Sequence, residues 1–316
     1  MAYVIVRPAD HQGWLAERKK GIGSSEAGTI MGVNKFDTPY RLWRRKREID
    51  PPVQTNEAME LGHHLEPAVA SLFAARTGAY IRKDSEGDWL AVDTVKEHLR
   101  VSPDRLYYRA GDRHTRRNLR ILECKTTSVE IDPANIPVYW YCQIQYQMGV
   151  MGVKAGAVAW ISSFPRLHFD YVEVEFNEMF YKALIEVIDE FWFDCVICGI
   201  PPKEMDAEDA GLKSPQAEPG QVVEADHDTV FAYESLKVLM GQIKAMEENK
   251  ANLETQLKSA MGTAETLVSP EGKVLAQWRN VKDVVKFNQK AFQEADPGTY
   301  SLYLETSKGG RRFSVK

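Results

Sequence analysis

The sequence predicts an α/β domain with a mixed central sheet flanked by helices, followed by a helical and small α+β extension. Two observations predict it. Over the first 200 or so residues the apolar pattern runs helix, strand, strand, helix, strand, the order of an α/β layer architecture. Beyond residue 200 the composition changes, and a single long helical pattern takes over.

The elements follow in order. Ser24 or Ser25, after Gly21-Ile22-Gly23, is suited to N-cap a helix starting at Glu26. Residues 61–76 have helical spacing, with Leu65, Val69, Leu72 and Phe73 on one face. Residues 99–108 and 118–126 read as neighbouring strands joined by a charged turn. Residues 138–150 read as a helix and 155–162 as a strand. Residues 201–228 are rich in Pro, Gly and acids and read as a linker. Residues 231–260 carry Leu236, Leu239, Ile243, Met246, Leu253 and Leu257 at alternating three- and four-residue spacing, interrupted by Lys250. A hairpin over 266–268 and 274–278, turning at Ser269-Pro270-Glu271-Gly272, a short helix near 287–294 and a strand at 312–315 complete a small module. The domain expectation is therefore 1–200, a linker at 201–228, and a helix with a small module at 229–316.

Composition narrows the class. The chain is 44% hydrophobic and 27% charged, enough apolar side chains for a packed core. No apolar run approaches the roughly 20 residues that span a bilayer, and the N-terminus lacks a basic region followed by a long apolar stretch. A cytoplasmic protein without a membrane partner is the expectation. Net charge is −5 and pI about 5.9, which argues against non-specific coating of nucleic acid and leaves room for an enzyme acting on it. Basic residues cluster at Arg41, Arg44, Arg45, Lys46 and Arg47, and again at Arg105, Arg109, Arg113, Arg116, Arg117 and Arg120; each cluster taken alone also fits a solvated surface. Cys195 and Cys198 have the C-x-x-C spacing of zinc and iron-sulfur sites. Their flanks, Phe191, Trp192, Phe193, Val196 and Ile197, point instead to a buried helix end before Gly199.

Two short strings carry chemistry. Ser102-Pro103-Asp104 places a carboxylate at the end of a strand, and Glu123-Cys124-Lys125 places a carboxylate and an amine two residues apart. Residues two apart on a strand share a face. Glu123 and Lys125 therefore project together, while Cys124 turns into the core with its carbonyl still able to face the site. Hard divalent cations such as Mg²⁺ take oxygen ligands, and Asp104 and Glu123 supply two carboxylates. A metal there lowers the pKa of a bound water and orients attack on a phosphate, and Lys125 can assist that water or neutralise developing charge. A surface Glu/Lys pair on any strand would look the same.

Other segments add to these strings. Trp14 to Glu26, then Leu61-Gly62-His63-His64-Leu65-Glu66-Pro67, then the PD and ExK strings, then Ile136 to Gln147, taken in this order, resemble the YqaJ-like viral recombinase nucleases, relatives of lambda exonuclease in the PD-(D/E)XK superfamily. The resemblance covers residues 10–200 and implies a restriction-endonuclease-like core. It implies that Asp104 and Glu123 bind the catalytic metals, two Mg²⁺ or Mn²⁺ ions, with the Cys124 backbone carbonyl; that Lys125 assists the nucleophilic water; and that Glu66 lies near the metals. It implies that Arg18 and Ser25 grip a phosphate at the DNA end, and that Gln143, with Gln145 or Gln147 as alternatives, contacts DNA. His63 and His64 read as surface residues, and Tyr139, Trp140 and Tyr141 as packing. The activity implied is resection of linear duplex DNA ends, 5′ to 3′, for phage-type recombination. A single-strand annealing protein would be the partner and a ring-shaped homotrimer the assembly. The rival readings are an endonuclease on the same fold acting on internal or branched DNA, an iron-sulfur nuclease, against which Cys124 inside the ExK strand speaks, and a non-catalytic DNA-end-binding protein.

Overall fold

The computed structural model describes residues 3–51, 53–83, 87–306 and 309–316. The chain divides into two compact units, Met1–Lys213 and Ser214–Lys316.

In the first unit the order is β1 (Tyr3–Val6), α1 (His11–Lys19), β2 (Ile22–Gly23), a 3₁₀ turn (Ser24–Glu26), α2 (Ala27–Ile30), α3 (Pro39–Lys46), α4 (Glu57–Thr77), β3 (Tyr80–Ile81), β4 (Leu90–Asp93), β5 (Leu99–Val101) and β6 (Arg105–Tyr108). Then come β7 (Arg120–Thr127), α5 (Val138–Met151), β8 (Ala155–Ser162), β9 (His168–Glu175), α6 (Glu178–Glu190), which continues as a π-helical stretch Phe191–Ile197, and α7 (Ala207–Lys213). One sheet has the order β1-β4-β5-β2 and the other β3-β6-β7-β8-β9. In the second sheet β7 and β8 are parallel and the other pairs antiparallel. The mixed sheets flanked by helices are the α/β architecture expected.

The larger sheet is buried on both faces, and the period of two along β7 assigns its residues. Leu122 and Cys124 join Val69, Ala70 and Phe73 of α4 in one apolar cluster. Ile121 joins the main core with Ile144, Met148, Val158 and Trp160. Glu123 and Lys125 share the face of Ile121, toward α5, and Cys124 lies in the opposite layer. Helix α4 buries Val69 and Phe73 as its spacing predicts, but Leu65 and Leu72 are each 37% exposed. The buried stripe is completed by Ala70, which lets the helix sit close to the sheet.

Residues 99–108 are not one strand. Pro103 lacks an N–H and interrupts the ladder, so β5 joins the smaller sheet and β6 the larger. Asp104 stands where the chain passes from one sheet to the other. The helix start after Gly23 also differs from expectation. Gly23 is the N-cap and neither serine hydroxyl caps the helix; the Glu26 carboxylate accepts from the Gly23 amide instead, at 2.7 Å. The serine hydroxyls are engaged elsewhere.

The acidic segment after residue 200 is folded in its first half. Asp209 on α7 is fully buried, accepting from Thr38 Oγ1 at 2.8 Å and from Arg41 Nη1 at 3.2 Å. Arg41 also pairs with Asp206 and Glu208. Part of the composition that reads as solvated linker is the counter-charge of Arg41 on α3. That helix's other cations are engaged too, Arg44 with Asp50, Arg45 with Asp37 and Lys46 with Glu26, and at its C-cap Arg47 donates to the Val196 carbonyl.

The second unit holds α8 (His227–Met261), the hairpin β10 (Thr266–Val268) and β11 (Val274–Gln277), α9 (Gln289–Ala295) and α10 (Pro297–Leu302). Helix α8 has 35 residues and is capped by Asp226, which accepts from the Thr229 amide at 2.8 Å. The hairpin forms where its turn residues predict it. Residues 312–315 form no strand, because β10 and β11 pair only with each other among the described residues; the tail is held instead by Tyr233 Oη donating to the Lys316 carbonyl at 2.9 Å. Among the described residues no helix is long and apolar enough to cross a membrane.

Candidate active site

A cleft of ≈ 780 Å³ opens between the two sheets of the first unit. Its floor comes from β7. Glu123 is 1% exposed, and its Oε1 accepts from Lys125 Nζ at 2.7 Å and from Gln143 Nε2. Lys125 Nζ also donates to Gln143 Oε1 at 2.9 Å. The other carboxylate oxygen, Oε2, accepts from Gln147 Nε2 at 2.8 Å. Asp104 enters from the sheet junction, and its Oδ2 accepts from the Cys124 amide at 2.6 Å.

Glu66 reaches the same cleft from α4 and pairs with Arg105, whose guanidinium also donates to the Asp104 carbonyl. The charges do not cancel. Burial, with the charges of Glu123 and Glu66 added, pushes the Asp104 carboxyl well above its ordinary range, although Lys125 and the Cys124 amide pull the other way. Burial alone would lower the Lys125 ammonium, but Glu123 and Asp104 outweigh it and hold it above its usual value. Burial pushes the Cys124 thiol up, so that side chain is a protonated core residue.

A second wall carries cations and hydroxyls. Helix α1 starts at Asp10, which accepts from the Gly13 amide at 2.8 Å. It presents Arg18, whose guanidinium lies 4.7 Å from the Trp14 ring centroid and whose Nη2 donates to Ser25 Oγ at 2.9 Å. A Cβ on Gly23 would stand 2.9 Å from Arg18 Nη2, so glycine is what lets the guanidinium lie across the turn. The turn itself is pinned. The Ile22 amide donates to the His98 carbonyl at 2.7 Å, Tyr146 Oη to the Ile22 carbonyl at 3.0 Å, and Lys46 Nζ to the Gly21 carbonyl at 2.7 Å. Arg100 on β5 lines the same wall and donates through Nη1 to Glu17 Oε2 at 2.9 Å.

Arg18, Ser25, Glu66, Asp104, Glu123, Lys125 and Gln143 thus border one cleft. The three glutamines of α5 separate by helical phase: Gln143 and Gln147, four apart, both reach Glu123. Gln145 faces away, donating to the Glu175 carbonyl at 2.7 Å and accepting from the Asn177 amide at 2.8 Å. His63 lines the cleft rim and His64 is exposed. Trp140 is buried near Trp160, and Tyr141 packs on Phe180. Sequence reasoning missed Arg105 as the partner of Glu66, and Arg100. Arg105 directly follows the PD pair, and alternation along β5 is the signal for Arg100.

The donors that could hold a metal are all oxygen: Asp104, Glu123, the Cys124 carbonyl and, at the rim, Glu66. That set and its uncompensated negative charge suit a hard divalent cation. Among the described residues no group of three or more His, Cys, Asp and Glu side chains is already gathered around one point. Arg105 draws Glu66 aside, and Lys125, Gln143 and Gln147 cover Glu123. Cys195 and Cys198 are free thiols, Cys198 exposed. Of their apolar flanks Phe191 and Val196 are buried, whereas Phe193 and Ile197 are half-exposed.

The model of the YqaJ-like viral recombinase domain matches residues 13–154, the segment that runs from α1 through α5 and holds every cleft residue named above. The uncharacterized protein YqaJ of Bacillus subtilis (strain 168) is 29% identical over 317 residues, covering 96% of this chain and 93% of that protein. Among solved structures, an alkaline exonuclease (LHK-Exo) from Laribacter hongkongensis is similar at a TM-score of 0.46 and 17% identity, over 64% of this chain and 96% of that one. A phage-related exonuclease from Haemophilus somnus 129PT is similar at 0.41 and 12%, over 56% of this chain and 95% of that one.

Proposed function

We propose, taking residues 13–154 as the YqaJ-like viral recombinase domain that they match, that the chain is a metal-dependent exonuclease. It would resect the ends of linear duplex DNA, 5′ to 3′, for phage-type recombination by single-strand annealing. The observation that carries this reading is the convergence of Asp104, Glu123 and Lys125 on one cleft whose opposite wall presents Arg18 and Ser25. A reaction centre and a phosphate grip thus lie on facing walls.

Asp104 and Glu123 would hold the cation, Mg²⁺ or Mn²⁺ and one or two ions, with the Cys124 carbonyl and nearby Glu66. When bound, it would supply Lewis-acid polarisation of the scissile phosphate and a lowered pKa for the attacking water. The chain's own residues do the rest. Arg18 Nη2 and Ser25 Oγ, already 2.9 Å apart, bind the terminal phosphate as a charge-assisted donor pair. Lys125 Nζ, held by Glu123 and Gln143, orients the attacking water and neutralises charge on the phosphate oxygens. Gln143, at the cleft edge of α5, contacts the nucleotide being removed. The strand polarity, the annealing partner and a ring-shaped homotrimer rest on family resemblance alone.

The test is a linear duplex labelled separately at its 5′ and 3′ ends, incubated with the protein and Mg²⁺ beside a covalently closed circle and the Lys125→Ala variant. Early release of the 5′ label, an intact circle and an inactive variant are expected. Cutting of the circle would move the function to an endonuclease, and no cutting of any substrate would leave an end-binding protein.

A further inference from the structure

Gln147 is fully buried on α5 and does not border the cleft. Its amide nitrogen donates in two directions, to Glu123 Oε2 on β7 at 2.8 Å and to Ser24 Oγ in the turn after β2 at 3.2 Å. Its carbonyl oxygen has no partner among the described residues. The amide cannot be turned round, because that would set its oxygen against a carboxylate oxygen. Leaving a buried carbonyl bare is unfavourable, and an apolar side chain of the same volume would avoid it. The residue therefore sits there for its two donor hydrogens.

The two oxygens of Glu123 are divided. Oε1 faces Lys125 and Gln143, which border the cleft, and Oε2 faces Gln147 behind it. A carboxylate held at its rear oxygen keeps its plane when its front oxygen changes partner. The same amide grips the hydroxyl next to Ser25, which takes the Arg18 bond.

We propose that Gln147 is a positioning residue that fixes the plane of Glu123 from behind and ties it to the Ser24-Ser25 turn, so that seating a phosphate on Arg18 and Ser25 is felt at Glu123. This rests on the nuclease reading above.

The test uses the full chain with Gln147→Met, which keeps the volume and cannot donate, Gln147→Asn, which stays polar but is too short, and Ser24→Ala. Mn²⁺ binding is measured by calorimetry without DNA, thermal unfolding without metal, and kcat and KM on linear duplexes with 5′-phosphate and 5′-hydroxyl ends. Substituting a residue that orients a metal-binding side chain typically weakens binding or activity by about 10- to 100-fold. That loss is expected in Mn²⁺ affinity and in kcat for both Gln147 variants, with KM for DNA little changed and a metal-free melt that stays cooperative but falls by a few degrees, because Glu123 Oε2 loses a buried donor. Ser24→Ala keeps its Mn²⁺ affinity and loses preference between the two kinds of end. Gln147 variants with wild-type Mn²⁺ affinity and kcat, beside a wild type that binds Mn²⁺, would overturn the positioning role alone. Undiminished end preference in Ser24→Ala would overturn the tie to the turn. A wild type that neither binds Mn²⁺ nor cuts DNA would overturn the nuclease reading and this inference with it.

Discussion

The backbone amide of Cys124 donates to Asp104 Oδ2 at 2.6 Å across the junction of the two sheets. One residue thereby does two jobs with separate parts. Its side chain fills the apolar layer against α4, and its amide fixes a carboxylate in the cleft. The bond also sets the distance between the PD segment and the ExK strand, which are neighbours only because β6 pairs with β7.

An Asp104→Asn variant keeps an acceptor for that amide and removes a negative charge from beside Glu123 and Glu66. The metal-free variant should melt higher than the wild type, since about 1 kcal/mol relieved moves the melting temperature of a chain this size by roughly 2–4 °C. A divalent cation should stabilise the wild type and leave the variant unchanged. Unfolding followed with and without Mg²⁺ checks both; a variant still stabilised by Mg²⁺ would remove Asp104 from the donor set.

The cations of the chain fall into two kinds that the sequence does not separate. Arg18 borders the cleft and its Nη2 donates to the neutral hydroxyl of Ser25, whereas Arg41 is locked among Asp37, Asp206, Glu208 and Asp209. Arg18→Ala should weaken binding to duplex ends and reduce the slope of log affinity against log salt by about 1, the value of one lost phosphate contact. Arg41→Ala should leave that slope unchanged and lower stability, because it strands the buried Asp209. Titrations in a salt series, paired with melting curves, separate the two; a salt slope altered by Arg41→Ala would return α3 to the DNA-binding surface.

How far the site could be read from sequence follows from this difference. Period-two alternation put Glu123 and Lys125 on one face and Cys124 on the other, and the structure has them so. Helical phase separates Gln143 and Gln147 from Gln145, although residue type alone made all three candidates. What stayed hidden depends on distant partners. Arg41 looks like part of a surface patch until Asp206, Glu208 and Asp209, more than 150 positions on, return to it. The single strand expected over 99–108 failed at Pro103, whose missing N–H is a local signal. That the halves join different sheets is a tertiary fact. The serines after Gly23 suit capping, but Arg18 and Gln147 take their hydroxyls.

Glu26 gives a pH dependence with a definite sign. Burial raises its carboxyl, but Lys46 and Arg18, with the Gly23 amide, outweigh burial and hold it below the ordinary value. A folded-state value below the unfolded one adds stability that is fully present above the unfolded value, about 4.3, and is lost as pH falls through the folded one. Glu26→Gln should therefore melt lower than the wild type at pH 7, by an amount that shrinks as pH drops below about 4. Melting temperatures of both proteins from pH 7 to pH 3 check it, and a constant gap would mean that the charge of Glu26 contributes nothing.

Where the first unit ends can be tested by truncation, and the structure makes the outcome depend on a few side chains. Helix α7 returns Asp209 to Thr38 and Arg41, and the Leu212 carbonyl accepts from Arg44 Nη1 at 3.3 Å. A chain ending at residue 200 loses these partners and leaves Arg41 with Asp37, at 3.7 Å, as the one acid of its four that remains. Hydrogen bonds to charged groups contribute about 1.5–3 kcal/mol each, so losing several of them takes away a large share of the stability of a typical domain. A chain ending at Lys213 keeps them all. The longer fragment should give a cooperative melt near that of the full chain and the shorter one should melt far lower or fail to fold. Equal melts for the two would show that α7 does not belong to the first unit, and that the acids of 201–213 are solvated as their composition suggests.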